Sequence, residues 1–259
     1  MSHAPKFKDY EKKYENMKLT RRDGILQLTF HTGGKSMEWT QTVHDDLPYL
    51  FTDIAGDREN KVLIITGTGE AFCDKLIAST FEVGTAELWD NIHYEGCRML
   101  NNLLDVNVPV IAAVNGPVRY HPEIPIMSDI VIAADTAVFQ DVPHYMSGVV
   151  PGDGTHVVWN YLLGPNRGRY FLMMGQELDA RTAFEYGAVS EVLPASKVLA
   201  RAWEIAEVFA KKSFLARRYA RLCVTHEYKR LMHSGVSLGL ALQGLATQAD
   251  WPLPGKLKS

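Results

Sequence analysis

The stretch Pro109-Val-Ile-Ala-Ala-Val-Asn-Gly-Pro117 decides the fold. Five consecutive apolar residues run from Val110 to Val114 and end at an Asn-Gly-Pro turn. An apolar run of this length, without alternation, is typical of a strand that is buried on both faces. Such strands belong to parallel sheets, so we predict a buried parallel strand here with similar strands beside it.

Two further runs of the same kind lie on either side of this strand. Residues 62–66 read Val-Leu-Ile-Ile-Thr, and residues 130–133 read Ile-Val-Ile-Ala. Shorter apolar segments predict strands at 25–30, 137–139 and 188–193. Apolar residues spaced by three and four predict helices from Trp39 to Ile54 and from Leu88 to Leu104. Alternation of strands and helices predicts an α/β fold.

The two ends of the chain have a different character. The first twenty residues are charged, and we expect them to form a surface helix or arm. Beyond Gly154 the pattern is mostly helical, near 155–163, 166–175 and 181–187. Long helices are predicted from Ser196 to Thr247. The change near residue 195 predicts a core over residues 1–195 and a helical region over 196–259.

Composition excludes several classes of protein. The chain has 259 residues, 46% of them hydrophobic and 22% charged, with a formal net charge of −3. These values are typical of a globular protein and argue against nucleic acid as a partner. No apolar segment is long enough to suggest a signal peptide or a membrane span, so we expect a soluble, cytoplasmic protein.

Histidine is the chemistry-bearing residue that stands out. Nine histidines accompany three widely spaced cysteines, which form no CxxC pair. His44 lies at the edge of the apolar stripe of a predicted helix, where it is either a core histidine bonded to a carbonyl or a functional group. His121 follows the end of the strand at 110–114, and ligands of open α/β sheets bind at such ends. Its proline-rich loop also fits a purely structural role.

His144 and Asp153 form the other candidate pair. His144 follows the short strand at 137–139, and Asp153 precedes a predicted helix. Asp153 by default caps that helix, but it could instead orient the His144 imidazole as a general base. The spacing of the histidines matches no metal-binding motif, so we expect metal-free chemistry.

The order of motifs along the chain resembles the crotonase (enoyl-CoA hydratase/isomerase) superfamily. The matching segments are Val62-Leu-Ile-Ile-Thr-Gly67, Pro109-Val-Ile-Ala-Ala-Val-Asn-Gly116, Ser128-Asp-Ile-Val-Ile-Ala-Ala134, Gly148-Val-Val-Pro-Gly152, Gly175-Gln-Glu-Leu-Asp-Ala-Arg-Thr-Ala183 and Tyr186-Gly-Ala-Val189. This resemblance implies a spiral core of ββα units with a C-terminal helical region that builds a homotrimer or a dimer of trimers.

The chain departs from the acyl-CoA enzymes of that superfamily at their catalytic positions. Their oxyanion hole uses a glycine-rich turn after Asn-Gly, but here the turn reads Tyr120-His121-Pro122, and proline has no N–H to donate. Phe72-Cys-Asp-Lys-Leu76 replaces the small residues of the second oxyanion segment. Hydratases also use two glutamates. Glu123 falls at the first of these positions, whereas His144 falls at the second.

The pattern is similar instead to the β-diketone hydrolase branch of the superfamily, which includes 6-oxocamphor hydrolase and cleaves carbon–carbon bonds without coenzyme A. Shared segments include Gly34-Lys-Ser36, Asp57-Arg-Glu-Asn-Lys-Val62, His121-Pro-Glu-Ile-Pro125, Pro151-Gly-Asp-Gly154 and Asn166-Arg-Gly-Arg-Tyr-Phe171. The active-site residues of that branch fall on Trp39, His44, His121, His144 and Asp153. A glutamate of the branch falls on Gln243, which cannot ionise.

The resemblance implies a retro-Claisen hydrolysis of a cyclic or bicyclic β-diketone to a keto acid. His144, oriented by Asp153, would be the general base, while Trp39 and His121 would hold the enolate oxygen. His44 would stabilise an oxyanion or deliver the final proton. We expect Phe81, Leu88, Gln243 and Glu123 to contact the substrate. No cofactor is implied, because the second carbonyl accepts the electron pair, and water is the only co-reactant.

Two alternatives compete with this interpretation. The chain could be an acyl-CoA hydratase or isomerase that uses Glu123, which a crotonyl-CoA assay would detect. It could also be a non-catalytic trimeric scaffold, in which side chains would fill the pocket.

Overall fold

A six-stranded sheet forms the centre of the computed structural model, which describes residues 3–250. The strand order is β1-β2-β4-β6-β7-β10, and every neighbouring pair is parallel except β1 and β2. The strand bounds are Met17–Arg22 for β1, Ile25–Phe30 for β2, Val62–Thr66 for β4, Val110–Val114 for β6, Ile130–Ala134 for β7 and Glu191–Leu193 for β10. The predicted α/β class is confirmed.

The central strands form where the apolar runs predict them. All residues of β4 and β6 are buried, because helices or loops cover both faces of the sheet. The turn after β6 lies against the chain segment that follows β4. An added Cβ on Gly116 would lie 1.9 Å from the backbone oxygen of Glu70, so this close approach requires glycine.

Two short two-stranded sheets stand beside the main one. Strand β3 (Met37–Trp39) pairs in parallel with β5 (Cys73–Leu76), and β8 (Val138–Phe139) pairs antiparallel with β9 (Leu178–Asp179). The sequence pattern assigns Trp39 to the start of a helix. The structure places Trp39 in β3 instead, and the helix begins two residues later, after the Thr40 side chain accepts a hydrogen bond from the Val43 N–H.

The helices cover the sheet and carry the loops at its carboxyl end. They are α1 (Phe7–Tyr10), α2 (Gln41–Gly56), α3 (Ala86–Asp105), α4 (Glu123–Ile126), α5 (Thr155–Leu163), α6 (Pro165–Met174), α7 (Ala180–Glu185), α8 (Ala195–Ala210), α9 (Phe214–Val224) and α10 (His226–Asp250). Single 3-10 turns span Ala78–Thr80 and Tyr145–Ser147. None of the helices in the described part of the chain is long and apolar enough to cross a membrane.

The N-terminal region differs from the expected surface helix or arm. Only one helical turn, α1, is present, and residues 17–22 form β1, which pairs with β2 along its whole length. Met17 and Leu19 are buried while Lys18 and Thr20 are exposed, a period of two that the many charges conceal. Farther along, the strand predicted at 188–193 is shorter, covering Glu191–Leu193 only.

The C-terminal helices pack against the core. Helix α8 lies on β4, β6 and β7, and α10 lies against α3 and α5. Arg221 of α9 is buried, and its guanidinium donates to Asp129 at 2.8 Å and to the Leu104 carbonyl at 2.8 Å. The domain boundary at residue 195 and the trimer stay predictions. Residues 251–259 of the predicted helical region lie outside the described part of the chain.

Candidate active site

A cavity with about 70 Å³ of internal space, partly open to solvent, lies between α2, α3 and α10 and the loops that follow β6 and β8. Most of its lining is apolar, but three imidazoles, two indoles, a carboxylate and an amide face it. The lining residues are Trp39, His44, Leu76, Phe81, Val83, Trp89, Ile92, His121, Pro143, His144, Val149, Asp153, Leu240 and Gln243.

The first polar group of the cavity is a stacked pair, Trp39 and His121. Strand β3 fixes Trp39, which is 1% exposed. Its ring lies 3.8 Å from that of His121, with an angle of 27° between the planes. His121 has a φ of +52°, a left-handed conformation that is strained for a residue with a side chain. The loop therefore holds the imidazole against the indole at a conformational cost.

Glu123 holds the far side of the His121 ring. Nδ1 of His121 lies 2.6 Å from Oε1 of Glu123, which is buried in α4. Burial raises the pKa of Glu123, although His121 counteracts part of that rise. The expected contact of Glu123 with substrate is not seen, because Glu123 does not line the cavity. It lies behind His121 and determines which nitrogen of that imidazole carries a proton.

His144 lies between two carboxylates. Its Nδ1 is 2.5 Å from Oδ1 of Asp141, and its Nε2 is 3.0 Å from Oδ2 of Asp153. Burial opposes a charge on the ring, but the two carboxylates outweigh it and hold the pKa of His144 well above its usual value. The expected pairing of His144 with Asp153 is present. However, both ring nitrogens contact a carboxylate, so neither is left free for the general-base role expected of His144.

Asp153 contacts the His144 imidazole and does not cap the following helix. The N-cap of α5 is Gly154, and no side chain caps that helix. Burial raises the pKa of Asp153, but the neighbouring histidines, above all His144, lower it by more. The pKa of Asp153 therefore lies well below the usual range. Oδ1 of Asp153 is buried and has no hydrogen-bond partner among the residues that the structure describes. Its capacity to accept a hydrogen bond is therefore unused within the described part of the chain.

His44 and Gln243 line other parts of the cavity. Nδ1 of His44 lies 2.9 Å from Oδ1 of Asp45, and its ring meets the edge of Phe81. Its Nε2 points toward α3, where Gly96 leaves room for it, since an added Cβ there would lie 3.4 Å from that nitrogen. Oε1 of Gln243 on α10 is buried and finds no partner within the described part of the chain.

The apolar wall of the cavity differs in one position from the prediction. Phe81 lines the cavity as expected, whereas Leu88 does not. Its neighbours on α3, Trp89 and Ile92, do, and the indole N–H of Trp89 donates to the Leu240 carbonyl at 3.0 Å. One residue along a helix turns the side chain by about 100°, which is enough to move Leu88 off the wall.

Asp141 is a site residue that the sequence does not single out. This residue lies in the loop between β8 and the 3-10 turn, three residues before His144. The available signal is the local sequence Asp141-Val-Pro-His144, in which a carboxylate one turn before a histidine can reach its ring. That spacing also occurs by chance in loops, and only the fold shows the contact.

Three donor atoms of this region could in principle approach one cation. His121, Glu123 and Asp153 each offer an atom within 4.8 Å of the others. However, the 2.6 Å contact with Glu123 uses Nδ1 of His121 for a hydrogen bond. We therefore describe these residues as a hydrogen-bonded group and assign no metal site to them.

Known proteins are similar to this chain over most of its length. The model of the enoyl-CoA hydratase/isomerase family matches residues 20–249. The carnitinyl-CoA dehydratase of Proteus mirabilis is 29% identical over 235 residues, which is 86% of this chain and 87% of that protein. The carnitinyl-CoA dehydratase of Citrobacter koseri is 30% identical over 78% of this chain and 77% of its own length.

Solved structures of the same family share the fold of this chain, and one of them is also much more similar in sequence. An enoyl-CoA hydratase/isomerase from Mycobacterium paratuberculosis shares the fold, with a TM-score of 0.81, 21% identity and coverage of 90% of this chain and 94% of that chain. A β-diketone hydrolase from the cyanobacterium Anabaena sp. PCC 7120, bound to (S)-3-oxocyclohexyl acetic acid, has a TM-score of 0.92 and 44% identity, covering 93% of this chain and 97% of that one. The chain belongs to the enoyl-CoA hydratase/isomerase family, that is, to the crotonase superfamily.

Proposed function

We propose that this protein is a β-diketone hydrolase, which cleaves a carbon–carbon bond of a cyclic or bicyclic β-diketone and releases a keto acid. One observation carries the proposal: two carboxylate–imidazole pairs, His121–Glu123 and His144–Asp153, converge on one apolar cavity. The cavity provides a dry, shaped space for an apolar ring, and the pairs provide acid–base groups for hydrolysis.

The substrate class is inferred from the ligand of the Anabaena neighbour. That ligand, (S)-3-oxocyclohexyl acetic acid, is a keto acid. Joining its carboxyl carbon to the ring carbon on the other side of the ketone, with loss of water, gives a bridged bicyclic 1,3-diketone. We infer the same class of substrate for this chain, since the two proteins share 44% of their residues.

The reaction would begin with attack of water on one carbonyl carbon. We place this water at Oδ1 of Asp153, the free oxygen of the His144–Asp153 pair, which would take its proton. This changes the role expected for His144. Because both of its nitrogens are occupied, His144 supports Asp153 and does not itself accept the proton. The electron pair of the broken C–C bond then moves to the second carbonyl, forming an enolate.

Trp39 and His121 would stabilise that enolate. The indole N–H of Trp39 and Nε2 of His121 are the donors that we assign to the enolate oxygen, and donors aimed at developing charge contribute strongly to catalysis. When the His121–Glu123 pair holds two protons, one lies between Nδ1 and the carboxylate and the other is on Nε2 of His121. The raised pKa of Glu123, caused by burial, favours that state.

The cycle ends when a proton reaches carbon. Because His144 keeps the pKa of Asp153 low, Asp153 would hold this proton only transiently and pass it to the α-carbon of the enolate. This restores the carboxylate and completes the addition of one water molecule to the diketone. His44 faces the cavity with Nε2 free of the Asp45 contact, and we assign it to the tetrahedral oxyanion or to this protonation. No step needs a metal or redox cofactor, since the second carbonyl accepts the electron pair.

An acyl-CoA hydratase is the second candidate, and the identity of the curated relatives favours it. Carnitinyl-CoA dehydratases and enoyl-CoA hydratases match over most of the chain at 27–30% identity. Against this candidate, Glu123 is bonded to His121 and does not reach the cavity. Its neighbour Pro122 has no N–H for a thioester oxyanion.

A parallel assay discriminates between the two functions. The purified protein is incubated with a panel of bridged bicyclic β-diketones and, separately, with crotonyl-CoA, and products are identified by mass spectrometry. We expect a keto acid from at least one diketone and no hydration of crotonyl-CoA. Asp153→Asn should abolish the keto acid, whereas Asp57→Asn, which alters a buried carboxylate bonded to Tyr10, should not. Hydration of crotonyl-CoA without diketone cleavage would overturn the proposal.

A further inference from the structure

Asp141 is a buried carboxylate that the reaction sequence above does not use. Its side chain is fully buried, and Oδ1 lies 2.5 Å from Nδ1 of His144. Its other oxygen, Oδ2, finds no hydrogen-bond partner in the part of the chain that the structure describes. Burying a carboxylate is costly unless a charge or hydrogen-bond donor compensates it, and here His144 is that donor.

The number of hydrogens on the His144 ring follows from its two contacts. A neutral imidazole has one N–H and one lone pair, so it can donate to one carboxylate only. A lone pair on Nε2 would face an oxygen of Asp153 at 3.0 Å, which repels unless a proton lies between them. Donation at both nitrogens requires the doubly protonated ring.

We propose that Asp141 is a positioning residue that keeps His144 as a resident imidazolium, so that the catalytic charge on Asp153 is fixed in place. The inference rests on the proposed function for its catalytic meaning, but the charge on His144 is a property of the protein alone. In this arrangement Asp141 supplies the negative charge that balances the imidazolium, and Asp153 stays an ionised carboxylate with Oδ1 toward the cavity.

The other titratable groups near His144 are two histidines and a glutamate. His121 and His156 interact with Asp153, and His156 is buried with its pKa lowered, chiefly by burial, so it contributes little positive charge. Glu123 is bonded to His121. Gln243 of α10, which lines the same cavity, is neutral. Asp141 is therefore the group in contact with Nδ1 that sets the charge of the ring.

Selective removal of the Asp141 charge tests the proposal. Asp141→Asn keeps an oxygen that can accept the Nδ1 hydrogen bond but carries no charge. The protonation of His144 is followed by NMR of protein labelled with ¹⁵N in histidine, in the absence of substrate, and His144→Gln identifies the resonance by its loss. In the wild type we expect both ring nitrogens to give protonated signals from about pH 5 to about pH 8.

In Asp141→Asn we expect the titration of His144 to move to lower pH by about one unit or more, a tenfold or greater loss of proton affinity. The alkaline limb of kcat should move the same way. Asp57→Asn is the control, because Asp57 is another buried carboxylate, which bonds Tyr10 and Arg21 and is not among the residues that line the cavity. This variant should leave the titration of His144 unchanged.

Two results would overturn the proposal. A wild-type His144 that is singly protonated at neutral pH would do so, and this measurement does not depend on how the variant folds. An unchanged titration in Asp141→Asn would do so as well. Because neither readout needs substrate, a failure to cleave diketones would count against the proposed function and leave the assignment of Asp141 standing.

Discussion

At the scale of single residues, the site is a set of imidazoles whose hydrogen-bond partners determine what each can do. His144 has both nitrogens bound, whereas His121 and His44 each have one nitrogen bound to a carboxylate through Nδ1. A ring held in this second way has no carboxylate contact at Nε2 within the described part of the chain. The three histidines look alike in the sequence, but their roles differ. The role of each one depends on whether one carboxylate or two contact its ring.

Asp153→Asn removes the oxygen charge to which we assign the water. We expect kcat for a bicyclic diketone to fall about 10²–10⁴-fold, the usual contribution of a general base, with a smaller change in KM. Steady-state kinetics measure this. Retention of more than a tenth of the wild-type kcat would contradict the role of Asp153.

Trp39→Phe isolates the indole N–H. A phenyl ring can keep the contact with His121 but donates no hydrogen bond, so we expect kcat to fall about 10²-fold with little change in the melting temperature. Trp159→Phe is the matched control. Trp159 is buried against Phe171 outside the cavity, and its N–H has no partner among the described residues. Equal losses of kcat in both variants would count against an enolate donor.

The raised pKa of His144 also predicts a pH dependence of stability. A group whose pKa is higher in the folded than in the unfolded state stabilises the fold fully below its unfolded value of about 6.5, and this stabilisation is lost as pH rises through the folded pKa. Asp153 has a lowered pKa, so its contribution is present above about pH 4 and is lost below.

We therefore expect the wild type to be more stable than His144→Gln, with the largest difference between about pH 5 and about pH 6. The difference should narrow as pH rises above about 6.5 and through the raised pKa of His144. Urea unfolding at several pH values measures it. A difference that grows with rising pH would show that His144 is neutral in the folded protein.

At the scale of elements, close backbone approach connects α10 to the loop that carries Asp153. An added Cβ on Gly239 of α10 would lie 2.1 Å from the Gly152 carbonyl oxygen, and one on Gly152 would lie 2.1 Å from that of Gly239. Gly152 precedes Asp153 directly. The position of the carboxylate therefore depends on a helix that lies nearly ninety residues later in the chain.

Gly239→Ala should displace this loop. Because the clash is with backbone, α10 or the loop must move, and we expect kcat to fall at least about tenfold together with a lower melting temperature. Gly84→Ala serves as the control, since an added Cβ there meets no atom within 4 Å. Wild-type kcat in Gly239→Ala would show that the Asp153 loop tolerates the shift.

The secondary-structure elements differ in how well the sequence predicts them. The apolar runs of β4 and β6 have no alternative to burial, so their strands are predictable. Strands β3 and β5 are three and four residues long and contain charged side chains, so no pattern announces them. Yet β3 is the element that places Trp39. Leu88 was expected on the cavity wall because sequence gives a helix but not its rotation.

At the scale of the whole molecule, one face of α10 is exposed and apolar. Leu238, Leu242 and Leu245 are 63%, 50% and 74% exposed, and their spacing of four and three puts them on one side of the helix. The opposite side, including Met232 and Leu240, is buried in the core. Apolar patches of this kind commonly mark contacts between proteins.

We expect copies of this chain to associate through that face, as the resemblance to trimeric crotonases implies. Leu242→Asp combined with Leu245→Asp should shift the protein toward monomer in sedimentation velocity at a fixed concentration. Paired substitution of the exposed Tyr170 and Met173 of α6 gives a control that keeps the α10 face. A wild type that sediments as a monomer would contradict the expected trimer.

The proposed function depends on the superfamily motifs and also on the catalytic positions at which this chain departs from them. The motifs identify the superfamily. Trp39, His44, His121, His144 and Asp153, on which the resemblance to β-diketone hydrolases places the active site, line one cavity, and their catalytic roles stay predictions. The contacts of Asp141 with His144 and of Glu123 with His121 join residues only three and two positions apart, but they depend on loop conformations that no sequence pattern indicates.

The most direct test of the proposed hydrolysis is a single turnover experiment in H₂¹⁸O with the bridged bicyclic dione that corresponds to 3-oxocyclohexyl acetic acid. We expect one keto acid product in which one ¹⁸O atom is found in the carboxyl group, because water attacks one carbonyl and the C–C bond then breaks. Recovery of unchanged dione, together with hydration of crotonyl-CoA by the same preparation, would contradict it.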